Sequence, residues 1–119
     1  MTQEEKDLLL KDLCGRLPYG VKVKTNNINI LKLGTHTRVG EYVTDVTEPC
    51  KPYLFPLSSM TREQKEEYQG HQHNVWICNG NEYLNRISIM IHWLNKNHFD
   101  YRGLIPMGLA IDCTNLNIY

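Results

Sequence analysis

The spacing of apolar residues along this chain changes twice, and each change predicts a change of secondary structure. Leu9, Leu10, Leu13 and Cys14 recur at i, i+1, i+4 and i+5, which gathers them on one face of an α-helix. Thr2 and Glu5 ahead of them have the S/T-x-x-E spacing in which two side chains satisfy each other's free backbone N–H groups at a helix start. Gly15 and Pro18 supply a stop, so the pattern predicts a helix from residue 3 to about residue 14. From Val21 the period becomes two. Val21 and Val23 alternate with Lys22 and Lys24, and Ile28 and Ile30 with Asn27 and Asn29, the signature of half-buried strands. Asn26-Asn27 suits a tight turn between them because Asn tolerates positive φ. Residues 34–40 form another turn before an expected strand over 41–46. Pro49, Pro52 and Pro56 restrict residues 50–57 to an edge strand or an extended connector.

Thr61 and Gln64 repeat the capping-box spacing, predicting a short polar helix over 62–69 ended by Gly70. Residues 75–78, Val-Trp-Ile-Cys, are apolar on both parities and predict a buried strand stopped by the Asn79-Gly80 turn. A second long helix is expected over 82–97. Tyr83, Leu84, Ile87, Met90, Ile91, Leu94 and His98 share its broad apolar face, and Asn85, His92 and Lys96 line a polar strip. Ile89 and Trp93 fall outside both sets, so this helix has a second apolar spot that its own domain covers or a partner uses. Asp100 is placed to cap a short turn over 101–104, and residues 108–112 predict a closing strand. These elements make a single α+β domain over 1–119: an N-terminal helix, a C-terminal helix, and a small curved antiparallel sheet between them. A partly closed SH3-like barrel is one arrangement such strands can form.

Composition supports a folded chain. At 119 residues, with 41% hydrophobic and 22% charged residues, the sequence has the length and apolar content for one core without disulfide or metal staples. Thirteen Lys and Arg balance thirteen Asp and Glu, so no whole-molecule field favours polyanions. The charges are nevertheless segregated. No acidic residue lies between Asp12 and Glu41, while Arg16, Lys22, Lys24, Lys32 and Arg38 do, and acidic segments flank this basic stretch on both sides. Internal compensation is the simplest account, which makes nucleic acid an unlikely partner. The opening residues lack the basic and apolar regions of a signal peptide, and the longest apolar run is too short for a bilayer, so a cytoplasmic protein without membrane contact is expected. Cys14, Cys50, Cys78 and Cys113 contain no C-x-x-C pair and are expected to be reduced core residues.

Three blocks carry a resemblance. They are Leu-Leu-Leu-Lys-Asp-Leu-Cys-Gly-Arg-Leu-Pro-Tyr-Gly-Val at 8–21, Cys-Lys-Pro-Tyr-Leu-Phe-Pro-Leu-Ser-Ser-Met-Thr at 50–61, and Trp-Leu-Asn-Lys-Asn-His-Phe-Asp-Tyr-Arg-Gly-Leu-Ile at 93–105. Together they resemble a family of small uncharacterised proteins of gut bacteria and their mobile elements. Where that family's pattern has a basic residue between Leu54 and Pro56, this chain has Phe55. The resemblance implies no activity, so no residue inherits a catalytic role from it.

The residues themselves nominate few sites. His71 and His73 form an H-x-H pair that would point to one face if it lay on a strand, a common start to a metal site; Gly70 suggests a loop instead. His98, near a helix C-terminus, is placed for a protonated imidazole favoured by the helix dipole. No phosphate loop, nucleophile elbow or H-E-x-x-H is written in the chain, and neither a catalytic set, a metal set nor a cofactor is expected. The expected function is therefore a non-enzymatic binding or regulatory module acting through protein–protein contacts, with a protein partner or a second copy meeting Ile89, Trp93, Tyr101 and Arg102. The alternatives are a nucleic-acid-binding protein using residues 16–38 and a metal-dependent enzyme using His71 and His73.

Overall fold

A computed structural model of the chain describes every residue except Asp45 and Thr47. Helix α1 spans Gln3–Arg16 and opens on the expected capping box: Thr2 Oγ1 accepts from the Glu5 N–H at 3.1 Å, and Glu5 Oε1 accepts from the Thr2 N–H at 3.0 Å. Gly15 does not stop it. A Cβ there would meet the Asn95 side chain at 3.2 Å, so this glycine marks a close approach between helices. The stop comes later, through a 3-10 turn at Leu17–Tyr19 and Gly20 in the left-handed region at φ 67°.

The sheet contains β1 (Lys22–Lys24), β2 (Leu31–Lys32), β3 (Lys51–Leu54) and β4 (Ile111–Asp112) in the order β2-β1-β3-β4. β1 is antiparallel to both neighbours, but β4 runs parallel to β3, so the sheet is mixed and open instead of antiparallel and partly closed. The α+β class holds. The prolines do not confine residues 50–57 to an edge. β3 is internal, yet at Pro52 it has a neighbour on one side only, because β4 begins opposite Tyr53; the ring occupies a locally open edge. Ile28 and Ile30 are exposed and lie outside the strands, in the connection from β1 to β2.

The expected strand over 41–46 is instead a short helix, α2 (Gly40–Val43); Asp45 of that segment lies outside the described residues. Val39 and Val43, four apart, both enter the core, and that helical spacing overrides the local β propensity. The predicted strand over 75–78 and the stop at Gly70 are also corrected. Helix α3 runs uninterrupted over Arg62–Ile77, and α4 follows at Glu82–Lys96. Gly70 inside a helix costs about 1 kcal/mol relative to Ala, which lowers but does not abolish helicity when a neighbouring helix packs alongside. The closing strand is limited to β4, because Gly108, at φ 75°, belongs to the turn that precedes it.

Two apolar clusters hold these elements. The larger joins α1, α2 and one sheet face through Leu9, Leu13, Val21, Val23, Val43, Leu54, Leu104 and Leu109. The smaller, Met60, Leu94 and Phe99, lies under one end of the α3–α4 hairpin and gathers Phe55, Tyr68, Met90, Trp93 and Tyr101 around it. Among the described residues, no helix is long and apolar enough to cross a membrane.

Candidate interaction surfaces

The four expected partner-contact residues divide between the interior and the surface. Trp93 is half-buried and clasped by α3. Its ring stacks on Tyr68 at 6.0 Å and on Phe99 at 5.7 Å, and its Nε1 donates to Glu67 Oε2 at 2.7 Å. The chain therefore supplies cover for Trp93 itself, while Ile89, one turn earlier, stays 40% exposed. Tyr101 and Arg102 join a buried ionic knot. Arg16, fully buried, donates to both Asp12 carboxylate oxygens at 2.8 and 3.1 Å and to the Phe99 carbonyl at 2.6 Å. The Arg102 guanidinium approaches the same carboxylate at 3.2 Å without the alignment of a hydrogen bond. Both guanidinium groups lie over the Tyr101 ring, at 5.2 and 5.1 Å from its centroid. One carboxylate thus faces two cations, and the aromatic face takes up part of the excess. Asp100 caps a turn, but a later one than the expected 101–104: its carboxylate accepts from the Leu104 and Ile105 N–H groups at 2.8 and 2.9 Å, at the start of the turn over 104–108.

The histidines do not converge. His71 and His73 lie inside α3, where positions two apart point to nearly opposite sides; His71 packs against Trp93 and His73 is exposed. Among the described residues no group of three His, Cys, Asp or Glu side chains is placed to hold a metal. The cysteines are all free, but only two are core residues. Cys14 is exposed and Cys78 half-buried, whereas Cys50 and Cys113 are buried and burial raises each thiol pKa to about 11, leaving both protonated at neutral pH.

His98 departs most from expectation. It lies beyond the end of α4 with φ 61°, and its ring stacks face to face on Tyr119 at 3.6 Å. Burial first, then the nearby Arg16 and Lys22 charges, lowers its pKa to about 4, so the imidazole is neutral where a helix-end cation was expected. A histidine whose folded pKa lies below the unfolded value contributes fully above about pH 6.5 and loses that contribution as pH falls towards 4. The expected outcome is a decline of unfolding free energy across that window that is shallower in His98→Asn, a residue that tolerates the same backbone conformation. Denaturation at a series of pH values checks it; an unchanged profile in the variant would refute the assignment. Tyr119 itself fills a gap in the sheet. Its hydroxyl accepts from the Lys22 N–H at 2.8 Å and donates to the Tyr53 carbonyl at 2.9 Å, bridging β1 and β3 where their direct pairing ends.

Two surfaces remain after these interior roles. The first is the free end of the α3–α4 hairpin. No α3 residue is fully buried, and the fully buried residues of α4, Leu94 and Asn95, lie at its packed end, while Val75, Cys78 and Ile87 towards the free end are only half-buried. Trp76 is 85% exposed and Leu84 75%, with Ile77 and Tyr83 exposed beside them across the Cys78–Asn81 connection. The sequence pattern assigned Trp76 and Ile77 to a buried strand and Tyr83 and Leu84 to a buried helix face. Their exposure could be found only once the two helices were known to extend past their packed end. The second surface is the outer sheet face, where Lys22, Lys24 and Lys32 lie; Arg16 of the same basic stretch is buried and Arg38 stands 3.8 Å from Glu41. No protein-family model, curated protein or solved structure matches the chain.

Proposed function

We propose that the chain is a non-enzymatic module that binds another protein through the free end of its helical hairpin. The observation that carries this is the exposure of Trp76 and Leu84, with Ile77 and Tyr83, at an end of two helices where no residue is fully buried. An exposed apolar group of this kind contributes little to the fold, whereas burying it against a partner would contribute several kcal/mol, since large aromatic and aliphatic side chains gain about 1.5–3 kcal/mol each on leaving water. Tryptophan is also the side chain most often found at the centre of energetically dominant contacts.

Two measurements test the proposal. Sedimentation velocity across a concentration series reads self-association, and a benzophenone side chain placed at the exposed position 79, beside Trp76 and Leu84, in growing cells reads contact with a different protein. The expected outcome is concentration-dependent association or a crosslinked adduct of discrete mass, abolished by Trp76→Ser with Leu84→Ser while the thermal midpoint is retained. A wild-type chain that stays monomeric and gives no discrete adduct would overturn it.

A further inference from the structure

The register of the sheet stacks lysines in pairs. Lys22 lies directly opposite Lys32, and Lys24 directly opposite Lys51. Residues two apart on a strand share a face, and directly opposed residues on antiparallel strands point to the same side, so all four ammonium groups occupy the outer face. The inner face at the same register carries Val23, Leu31 and Pro52. Like charges directly opposite one another destabilise a sheet, and here two such pairs adjoin. Among the described residues none of the four forms an ion pair. Lys22 is partly satisfied, donating to the Ile118 carbonyl at 2.6 Å and lying over the Tyr119 ring, while Lys24, Lys32 and Lys51 are exposed. The flanking residues limit the kind of anion. A depression of about 420 Å³ opens beside Lys24 and Lys51 and is lined also by Thr25, Asn26, Glu48 and Ile111. Asn27 and Asn29 are exposed on the same connection. Amide and carboxylate side chains next to phosphate-binding cations can hydrogen-bond base edges, which suits a ligand that carries a base beside each phosphate.

We propose that this face binds the phosphate backbone of a single-stranded nucleic acid, with Lys24, Lys32 and Lys51 on successive phosphates and a base at the depression beside them. The face spans three strands, about 10 Å, which suits one strand's phosphates and not both sides of a duplex groove. The surface is separate from the hairpin end, so this binding stands or falls independently of the protein-binding proposal. It also reverses the expectation drawn from net charge: the chain is neutral overall, yet the fold removes Arg16 from the basic stretch and adds Lys51, which lies outside it.

Fluorescence anisotropy with labelled twelve-residue oligo-dT and oligo-U tests the proposal on the full chain. Three to four phosphate contacts on a single strand predict that log K falls against log salt with a slope of about −2 to −3. Lys51→Glu should weaken binding about tenfold while leaving the thermal midpoint at or above that of the wild type, because it turns a like-charge pair into an opposite-charge one. Lys65→Glu, on the exposed side of α3, should leave affinity unchanged. Four results would overturn the proposal: no salt-dependent binding by about 100 µM oligonucleotide, equal affinity for a duplex of matched charge, an equal loss with Lys65→Glu, or binding confined to phosphatidylserine vesicles.

Discussion

Asp12→Ala is expected to destabilise the chain by about 3–5 kcal/mol, the usual consequence of removing one partner of a buried ion pair. Asp12 and Arg16 are both fully buried, and Asp12 supplies the carboxylate near two guanidinium groups. Without it Arg16 keeps the Phe99 carbonyl as an acceptor and, fully buried, cannot reach water without opening the junction of α1 and the segment after α4, whereas Arg102 is already partly exposed. Replacing both members by apolar residues of similar size, Asp12→Leu with Arg16→Met, should recover most of the loss, because the cost lies in the uncompensated charge. Urea unfolding of the three proteins measures this. A single variant within about 1 kcal/mol of wild type would show that water reaches the cluster.

The second large effect is expected at Trp93. Trp93→Ala removes the ring on which Tyr68, His71 and Phe99 converge and leaves Glu67 without its indole donor. The ring is half-buried, so the expected loss is about 3 kcal/mol, the low end of the range for aromatic-to-alanine changes. Because α3 covers Trp93 within the chain, the sedimentation coefficient should not change. The same experiment on Trp76→Ala should give the opposite pattern, a small effect on unfolding and a loss of any association. If Trp93→Ala alters association and leaves stability intact, the roles assigned to the two tryptophans are reversed.

The contrast between these tryptophans shows what was legible in the sequence. Both capping boxes, the extent of α1 to within a turn, the position of α4 and a capping role for Asp100 follow from side-chain spacing within one or two helical turns, and each is found in the structure. What failed depended on distant partners. A four-residue apolar run such as Val75–Cys78 is compatible with strand or helix, and only the alignment of α3 with α4 decides between them. The parallel pairing of β4 to β3 and the burial of Arg16 likewise rest on residues far apart in the chain. The lysine face was hidden for the same reason. Its charge was visible as a basic stretch, but cross-strand register determines which lysines meet and recruited Lys51, while burial against Asp12 in α1 removed Arg16.

That long-range register also constrains the order in which the chain assembles. Leu54 pairs with Asp112, and everything from α3 to the end of α4 lies between them. Closing so long a loop from a disordered chain is entropically costly, whereas the hairpin is built from neighbouring segments and brings its two ends back together as it forms. The helical hairpin thus acts as a clip that delivers β4 to the sheet. Its nucleation is expected to set the folding rate, so the hairpin's free end, with Trp76, is formed before the sheet is completed at the other end.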